Sequence, residues 1–225
     1  MSIEIKGLEY SWHENDDPIL KIDELKIAPK EKIFVRGPSG SGKTTLLGLL
    51  GGVLTPQKGS IEIVGTAINQ LGGAKRDRFR ADHIGFVFQM FNLLPYLNVV
   101  ENVTLALRFS PRKREKVGLD GAGQEAKRLL EALGLVDPNI FSKVVSSLSV
   151  GQQQRVAVAR ALIGSPEVVI ADEPTSALDA DARVAFLELL FHECEKAGSM
   201  LIYVSHDKEV GEHFDRCISI DEFKP

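Results

Sequence analysis

The most constraining feature of the chain is a run of small residues between an apolar segment and a leucine-rich segment. It covers residues 37–44 and reads GPSGSGKT. Residues 32–35 before it have the composition of a buried strand, and residues 45–50 after it have that of a helix. Backbone N–H groups left open by glycine, at the positive end of a helix, bind phosphate groups. The pattern therefore predicts a strand, a phosphate-binding loop and a helix.

The spacing of glycine, lysine and threonine in this loop matches the glycine-rich loop that binds a nucleoside triphosphate. Lys43 can reach the outer phosphates, and the hydroxyl of Thr44 can bind Mg²⁺. A glycine-rich turn that binds nothing is the alternative. The residues predicted to bind the nucleotide here are Gly37, Pro38, Ser39, Gly40, Ser41, Gly42, Lys43, Thr44 and Thr45.

A second candidate group follows the apolar residues 168–171, which are typical of a strand buried on both faces. Asp172 would lie at the exit of this strand, where an unpaired carboxylate is costly unless a cation is near. We therefore expect Asp172 to hold Mg²⁺. Glu173 is one residue further and is the candidate for polarising the attacking water.

Composition excludes several other classes of protein. The chain has 225 residues and a net charge of -4, which does not favour nucleic acid as a partner. Its two cysteines, Cys194 and Cys217, match neither a zinc spacing nor a disulfide framework, and we expect both to be buried thiols. The first residues lack the pattern of a signal peptide, and no apolar run reaches the ~20 residues of a membrane helix.

Apolar periodicity predicts an α/β fold that is richer in strands near its start and mostly helical in its middle. We expect residues 110–123 to form an exposed insertion. Basic residues at 75–80 and 112–116 are interpreted as solvated, with a lipid-binding patch as the alternative. The predicted strands are 3–10, 19–27, 32–35, 59–64, 84–88, 167–171 and 200–204, and the predicted helices are 45–50, 75–81, 98–109, 124–133, 152–163 and 180–197.

Residues 147–155, SLSVGQQQR, resemble the L-S-G-G-Q signature motif of ABC-type ATPases. Other elements similar to that family follow in its order: Gln89 after an apolar segment, residues 176–179 (SALD), and His206 after residues 200–204. The resemblance covers nearly the whole chain. The run FNLLP at 91–95 and the Leu-Gly-Gly at 50–52 look most like the LolD/MacB-type branch.

The resemblance implies a P-loop NTPase fold of the ABC type with a mixed sheet core, an N-terminal antiparallel β subdomain and an inserted α-helical subdomain. Residues 1–225 would form one such domain, with the helical subdomain at about 90–164. It also implies that ATP and Mg²⁺ are bound between two copies in a head-to-tail homodimer. The residues that the resemblance implies for catalysis are Glu173, His206, Gln89 and Lys43. Those implied for binding the metal are Thr44, Gln89 and Asp172. Those implied for binding the ATP of the partner copy are Ser149, Gly151, Gln152 and Asp179.

An aromatic ring at the end of the first strand stacks on adenine in this family. Trp12 is the preferred candidate, with Tyr10 then in the core; packing of both rings without a ligand is the alternative. Val150 stands where the family has glycine. If that position needed a positive φ, a β-branched residue would be strained there.

The run FQMFNLLPYL at 88–97 has too many large apolar residues for an ordinary loop, so it is either core or a docking surface. The resemblance implies that an integral membrane permease docks near Gln89 to Leu97, on the cytoplasmic face of the inner (plasma) membrane. A soluble ABC-type ATPase acting on DNA or ribosomes, and a regulatory module that closes on ATP with little turnover, are the alternatives.

Overall fold

The computed structural model describes residues 2–13, 16–118, 120–175, 178, 180–207 and 209–225. The chain divides into two compact units, residues 1–80 with 200–225, and residues 81–199. The predicted helical subdomain, residues 90–164, lies within the second unit and stays a prediction. Within the described residues, no helix combines the length and the apolar composition that crossing a bilayer requires.

The strands are β1 (Ile3–Tyr10), β2 (Leu20–Ile27), β3 (Lys32–Arg36), β4 (Lys58–Ile63), β5 (Thr66–Ala67), β6 (Ile84–Val87), β7 (Val168–Asp172), β8 (Met200–Ser205) and β9 (Arg216–Ser219). The helices are α1 (Lys43–Leu50), α2 (Gly73–His83), α3 (Val99–Phe109), α4 (Pro111–Val117), α5 (Ala122–Ala132), α6 (Val150–Leu162) and α7 (Ala180–Ala197). Strands β5 and β9 and helix α4 were not predicted from the sequence.

The first unit contains an antiparallel sheet in the order β2-β1-β4-β5. Alternate side chains of β1 are buried, except near Gly7, where the register with β4 shifts between Lys6 and Glu9. Gly7 has φ of +56°, which glycine adopts at little cost. A β-bulge of this kind explains why the apolar alternation of the sequence slips at this residue.

Three parallel strands, in the order β8-β3-β9, form the rest of the first unit's sheet structure. Val35 of β3 is aligned with Val204 of β8 and with Ile218 of β9. Phe34 is fully buried and stacks on Tyr203 with 6.0 Å between ring centroids. The continuous apolar run predicted for β3 therefore reflects burial on both faces.

The second unit contains the parallel pair β6 and β7, and helices α3 and α5 pack against α6. Gly85 of β6 allows a close crossing, because a Cβ there would lie 2.1 Å from the carbonyl oxygen of Ala161 in α6. Antiparallel and parallel sheets with helices agree with the predicted mixed α/β architecture.

The expectation that residues 110–123 form an exposed insertion is wrong for Ser110 and Lys113, although most residues of α4 are exposed. Ser110 is fully buried and caps α4 by accepting a hydrogen bond from the N–H of Lys113. The side chain of Lys113 is also buried, and its Nζ donates to the carbonyl of Ile84 at 3.0 Å. Burial lowers the pKa of Lys113 to about 8. The basic composition of this helix concealed the buried contact of Lys113 with β6.

The two cysteines differ from each other. Cys194 is buried, as expected, whereas Cys217 on β9 is exposed, and that expectation is wrong. Strand β9 was not recognised in the sequence, so the outward orientation of position 217 could not be anticipated.

Glu167, which precedes β7, joins the basic residues of α4 to the parallel pair. Its carboxylate accepts hydrogen bonds from Arg112 at 2.7 Å and Lys116 at 3.2 Å, and it contacts His83 Nδ1 at 3.0 Å. Burial raises the pKa of Glu167, but the hydrogen bonds from these side chains outweigh it and hold the pKa well below its usual range. Arg112 and Lys116 are exposed, as the solvated interpretation requires, but the sequence did not reveal their contact with Glu167.

We expect Glu167→Gln to lower the free energy of unfolding by about 3 kcal/mol, because it removes the buried carboxylate that Arg112, Lys116 and His83 contact. Glu9→Gln, which removes an exposed pair with Lys58, is the matched control and should change stability little. The stabilisation from Glu167 is present above the unfolded-state pKa of a glutamate and is lost as pH falls, because the folded-state pKa is depressed. Urea unfolding at neutral pH and near pH 4 measures the loss of stability and its dependence on pH. Equal losses of stability in Glu167→Gln and Glu9→Gln would contradict the role given to the contacts of Glu167.

Candidate functional site

The predicted phosphate loop connects β3 to α1 through two left-handed glycines. Gly40 has φ of +76° and Gly42 has φ of +100°, a region that favours glycine. Gly42 is the N-cap of α1 and supplies no side-chain cap. The first helical backbone bond runs from Leu46 N–H to Gly42 O at 2.9 Å, so the N–H groups of residues 43–45 precede the helical ladder. These amides and the helix dipole form a site suited to phosphate oxygens.

Lys43 is held by the loop itself. Its side chain is 6% exposed, and Nζ donates to the carbonyls of Gly37 at 2.7 Å and Pro38 at 2.9 Å. The Ser41 hydroxyl also donates to Pro38 O, at 2.7 Å. The ammonium group is therefore fixed within the loop before any ligand binds, which reduces the entropy cost of binding.

The other loop residues differ in exposure. Pro38, Ser39, Gly40 and Thr44 are exposed, whereas Ser41 and Thr45 are buried. The hydroxyl of Thr44 is accessible to a metal ion. Thr45 would contribute to a phosphate site through its backbone N–H, since its side chain is buried.

Gly37 has a structural role that the sequence did not reveal. A Cβ at this position would lie 2.3 Å from Cγ2 of Ile220, in the short 3-10 helix Ile220–Phe223. The first glycine of the loop is thus required by packing against a segment 183 residues away in the chain, as well as by ligand access. No local pattern could have identified that contact.

His206 follows β8 and lies beside the start of the loop. The register aligns Ser205 with Arg36, so the two chains leave the sheet at the same edge. His206 is exposed and lines a cavity of about 510 Å³. The described residues that line it are Arg36, Gly37, Pro38, His206, Ser219 and Asp221.

The two candidate aromatic residues are placed as the sequence suggested. Tyr10 is buried, whereas Trp12 is 56% exposed. Their rings meet edge to face with centroids 5.5 Å apart, so Tyr10 supports the indole. An exposed ring held in this way offers one open face to a planar base, and the adenine role of Trp12 stays a prediction.

In the second unit, the candidates Gln89, Asp172 and Glu173 lie at one edge of the β6–β7 pair. Val87 is aligned with Ala171, so the residues that follow both strands leave the pair together. Glu173 has φ of +43°, which is uncommon for a residue other than glycine. Strain of this kind is concentrated at functional positions, and it directs Glu173 differently from Asp172.

The signature motif opens α6. Ser149 is its exposed N-cap: the hydroxyl accepts from Gln152 N–H at 3.3 Å, and Gln152 Oε1 accepts from Ser149 N–H at 3.0 Å. Gln152 thus fixes the serine through a capping box. Among the described residues, the Ser149 hydroxyl finds no acceptor for its own proton, so that proton is available to an incoming anion.

Val150 causes no backbone strain. It is the first residue of α6 and is absent from the described residues with positive φ, so the condition for strain raised by the sequence is not met. At Gly151, a Cβ would meet Leu178 Cδ2 at an ordinary 3.8 Å and no other described residue within 4 Å. Ser176, Ala177 and the predicted Asp179 lie outside the described residues.

The run at 88–97 is not core. None of its residues is buried, and Met90 and Tyr96 are 81% and 73% exposed. Of the two interpretations left open by the sequence, only the exposed surface agrees with the structure.

Oxygen ligands from Thr44 and Asp172 suit Mg²⁺ chemically. In the part of the chain that the structure describes, no three His, Cys, Asp or Glu side chains come together as a metal site. Magnesium at nucleotide sites typically takes one or two protein oxygens and completes its shell with water and substrate phosphates. Thr44 in the first unit is exposed and Asp172 in the second is partly exposed, so each has the type of oxygen and the accessibility that such a ligand needs.

Comparison with known proteins gives consistent results. A family model described as ABC transporter matches residues 20–176. The lipoprotein-releasing system ATP-binding protein LolD 2 of Caulobacter vibrioides is 34% identical over 97% of this chain and 93% of its own length. The macrolide export ATP-binding/permease protein MacB of Bdellovibrio bacteriovorus is 37% identical over 97% of this chain, which matches 32% of that longer protein.

Two solved structures of MJ0796, a protein of Methanocaldococcus jannaschii, are similar in fold. The first is described as the dimeric structure of an ABC transporter cassette; it has a TM-score of 0.85 at 34% identity and covers 96% of this chain and 93% of that one. The second, a dimeric post-hydrolysis state bound to ADP and Pi, has a TM-score of 0.80 at 33% identity and covers 99% and 94%. The predicted fold class is confirmed, and the chain belongs to the ABC transporter family as an ATP-binding cassette with ATPase activity.

Proposed function

We propose that two copies of this chain bind two ATP molecules head to tail and close on them, and that hydrolysis releases the pair. The observation that carries this proposal is the exposed signature end of α6. Among the described residues, none accepts the hydroxyl proton of Ser149, and only Leu178 lies within 4 Å of the position of a Cβ at Gly151. Such a surface is suited to the γ-phosphate of a nucleotide held by another copy. The dimeric form of the MJ0796 cassette supports the same arrangement.

Each group of residues has a distinct part in the reaction. The loop amides and Lys43 neutralise the phosphates. Gln89 links the metal site to the docking surface, and Asp179 joins Ser149, Gly151 and Gln152 in the partner's site. Thr44, Gln89 and Asp172 would hold Mg²⁺, which would supply charge neutralisation at the phosphates.

Glu173 is the general base that polarises the attacking water, and His206 contacts the γ-phosphate and helps to orient Glu173. Removing the γ-phosphate takes away the acceptor for Ser149, so the interface loosens. Cleavage of ATP therefore leads to opening of the dimer.

A separate integral membrane permease would receive that motion. Met90 follows Gln89 directly and Tyr96 lies further along the same segment; both side chains are exposed and suited to a hydrophobic contact with another protein. The similarity to LolD 2 and to the ATP-binding part of MacB supports a release or export machine of that type, with this chain on the cytoplasmic face of the inner membrane. No specific observation favours a soluble ATPase, and the unstrained Val150 removes the one feature that favoured a regulatory module.

Glu173→Gln tests the proposal most directly. It should keep ATP binding, reduce hydrolysis at least about a hundredfold because the general base is lost, and trap a dimer with ATP and Mg²⁺. Gel filtration with and without nucleotide measures the dimer. The control is the double variant Glu173→Gln with Lys43→Ala, which should stay monomeric because it cannot hold the phosphates. A single variant that remains monomeric with ATP, or that hydrolyses at the normal rate, would contradict the mechanism.

Gly151→Ala separates folding from function. The substitution should stabilise the monomer by about 0.5–1 kcal/mol, because alanine is the better helix former and its Cβ meets no obstacle. It should nevertheless weaken the ATP-dependent dimer and lower hydrolysis at least about tenfold, since the methyl group blocks approach of the partner's phosphate. Gly123→Ala in α5, where a Cβ also meets nothing, is the matched control. If both variants keep full activity, Gly151 does not face a ligand.

Trp12→Ala should lower nucleotide affinity about tenfold, the loss expected when one aromatic ring no longer stacks on a base. Trp12→Phe should retain most of the affinity, and Val53→Ala, at another exposed apolar side chain, should retain all of it. Calorimetric titration with ADP measures the dissociation constant of each of the three variants. Equal affinities of the alanine variant and the native chain would exclude stacking on Trp12.

A further inference from the structure

Arg160, in the last turn of α6, makes an unusual contact with the segment after Gln89. Its guanidinium donates to the carbonyl of Phe91 at 2.5 Å and to the carbonyl of Asn92 at 2.7 Å. These acceptors are 69 and 68 residues away in the chain. The signature helix is therefore joined at its far end to the turn that carries the candidate docking surface.

The two acceptors have an uncommon backbone conformation. Phe91 has φ of +58° and Asn92 has φ of +49°, so two consecutive residues other than glycine are left-handed. Asparagine tolerates this region, but a bulky phenylalanine does not favour it. The local bonds of the turn, Phe91 N–H to Phe88 O at 2.9 Å and Asn92 N–H to Met90 O at 2.6 Å, do not include the two carbonyls. Arg160 supplies the donors that hold them.

The guanidinium of Arg160 in turn depends on the carbonyls of Phe91 and Asn92. Burial lowers the pKa of Arg160, and among the described residues no carboxylate pairs with it. A partly buried cation must have its charge compensated by polar groups. The carbonyls of Phe91 and Asn92 do so here, so that the charged group and the strained turn stabilise each other.

The other end of the same segment is fixed by a second buried side chain. Asn102 of α3 is fully buried; its Oδ1 accepts from Leu94 N–H at 2.8 Å, and its Nδ2 donates to the carbonyls of Leu94, Leu97 and Asn98 at 3.1–3.2 Å. Residues 91–98 are thus anchored to α6 at one end and to α3 at the other. Between the anchors, Tyr96 remains exposed.

We propose that Arg160 is a positioning residue that locks the turn after Gln89 and ties the docking surface to the helix that presents Ser149. Residues 149 and 160 are separated by about 16 Å along the axis of α6, at 1.5 Å per residue. A displacement of Met90 or Tyr96 by a docked protein would be carried through the Arg160 contact into α6 as a whole. It would also shift Gln89, three residues before Asn92.

This inference rests on the proposed function for its consequences, but the contact itself can be tested without it. Hydrogen exchange of the native chain is compared with that of Arg160→Met, which removes the donors, and Arg160→Lys, which keeps the charge but lacks the planar fork. We expect amides of residues 89–94 to exchange at least about tenfold faster in Arg160→Met, with the rest of α6 unchanged. In Arg160→Lys, the exchange rates of these amides should lie between those of the native chain and those of Arg160→Met.

Arg114→Lys is the matched control. Arg114 likewise donates to a backbone carbonyl, that of Leu107 at 3.1 Å, but in a different helix pair. It should leave the exchange of residues 89–94 unchanged. Unchanged exchange of these residues in Arg160→Met, or equal acceleration throughout the second unit, would overturn the proposed lock.

A second measurement separates positioning from simple support of the fold. The Mg²⁺ concentration for half-maximal ATP hydrolysis should rise about tenfold in Arg160→Met, because Gln89 is no longer held in place. The affinity for ATP without Mg²⁺ should be unchanged, since the phosphate loop belongs to the other unit. A looser turn with an unchanged Mg²⁺ requirement would overturn the positioning role.

A native chain that does not hydrolyse ATP with Mg²⁺ would instead overturn the proposed function. The Arg160 contact would then be tested by hydrogen exchange alone. Failure of the positioning proposal can therefore be distinguished from failure of the proposed function.

Discussion

Parallel pairing of β3 with β8 and β9 is the interaction on which the phosphate site of the first unit depends. Arg36 is aligned with Ser205 on one side and with Ser219 on the other, so three chain segments leave the sheet at one edge. One becomes the phosphate loop, one carries His206 and one becomes the short helix that packs on Gly37. Burial of an aromatic side chain such as Phe34, worth about 1.5–3 kcal/mol, stabilises this pairing, and the stacking of Phe34 on Tyr203 favours the register in which the two residues are aligned.

Those parts of the fold that follow from local chemistry could be predicted from the sequence. The loop at 37–44, the apolar strand before Asp172 and the helix after Ser149 each combine a short pattern with its structural cause, and the structure contains all three. The buried Lys113 could not be predicted, because its charge is satisfied by a carbonyl of β6 that is distant in sequence. The exposed Cys217 was missed for a related reason, since β9 is a short edge strand of only four residues.

Backbone strain marks the part of the candidate site that no sequence pattern reveals. Glu173, Phe91 and Asn92 all have positive φ, and the first of these follows β7 while the other two follow β6. Each such residue costs on the order of 1–3 kcal/mol unless its surroundings compensate. For the turn at 91–92 the compensation is visible as two charge-assisted hydrogen bonds from Arg160, each worth about 1.5–3 kcal/mol. At Val150, where the sequence raised strain only on the condition of a positive φ, the regular start of α6 requires none.

Glycines at the two phosphate-facing surfaces differ in what the fold demands of them. Gly37 is required by the chain itself, because Ile220 occupies the position of any side chain, and Gly42 is required by its left-handed conformation. Gly151 has neither constraint, yet glycine in a helix lowers stability by roughly 0.5–1 kcal/mol relative to alanine. Glycine at position 151 therefore lowers stability, and no contact among the described residues compensates for that cost. The proposed function accounts for this cost, because the start of α6 would then receive a phosphate presented by a second copy.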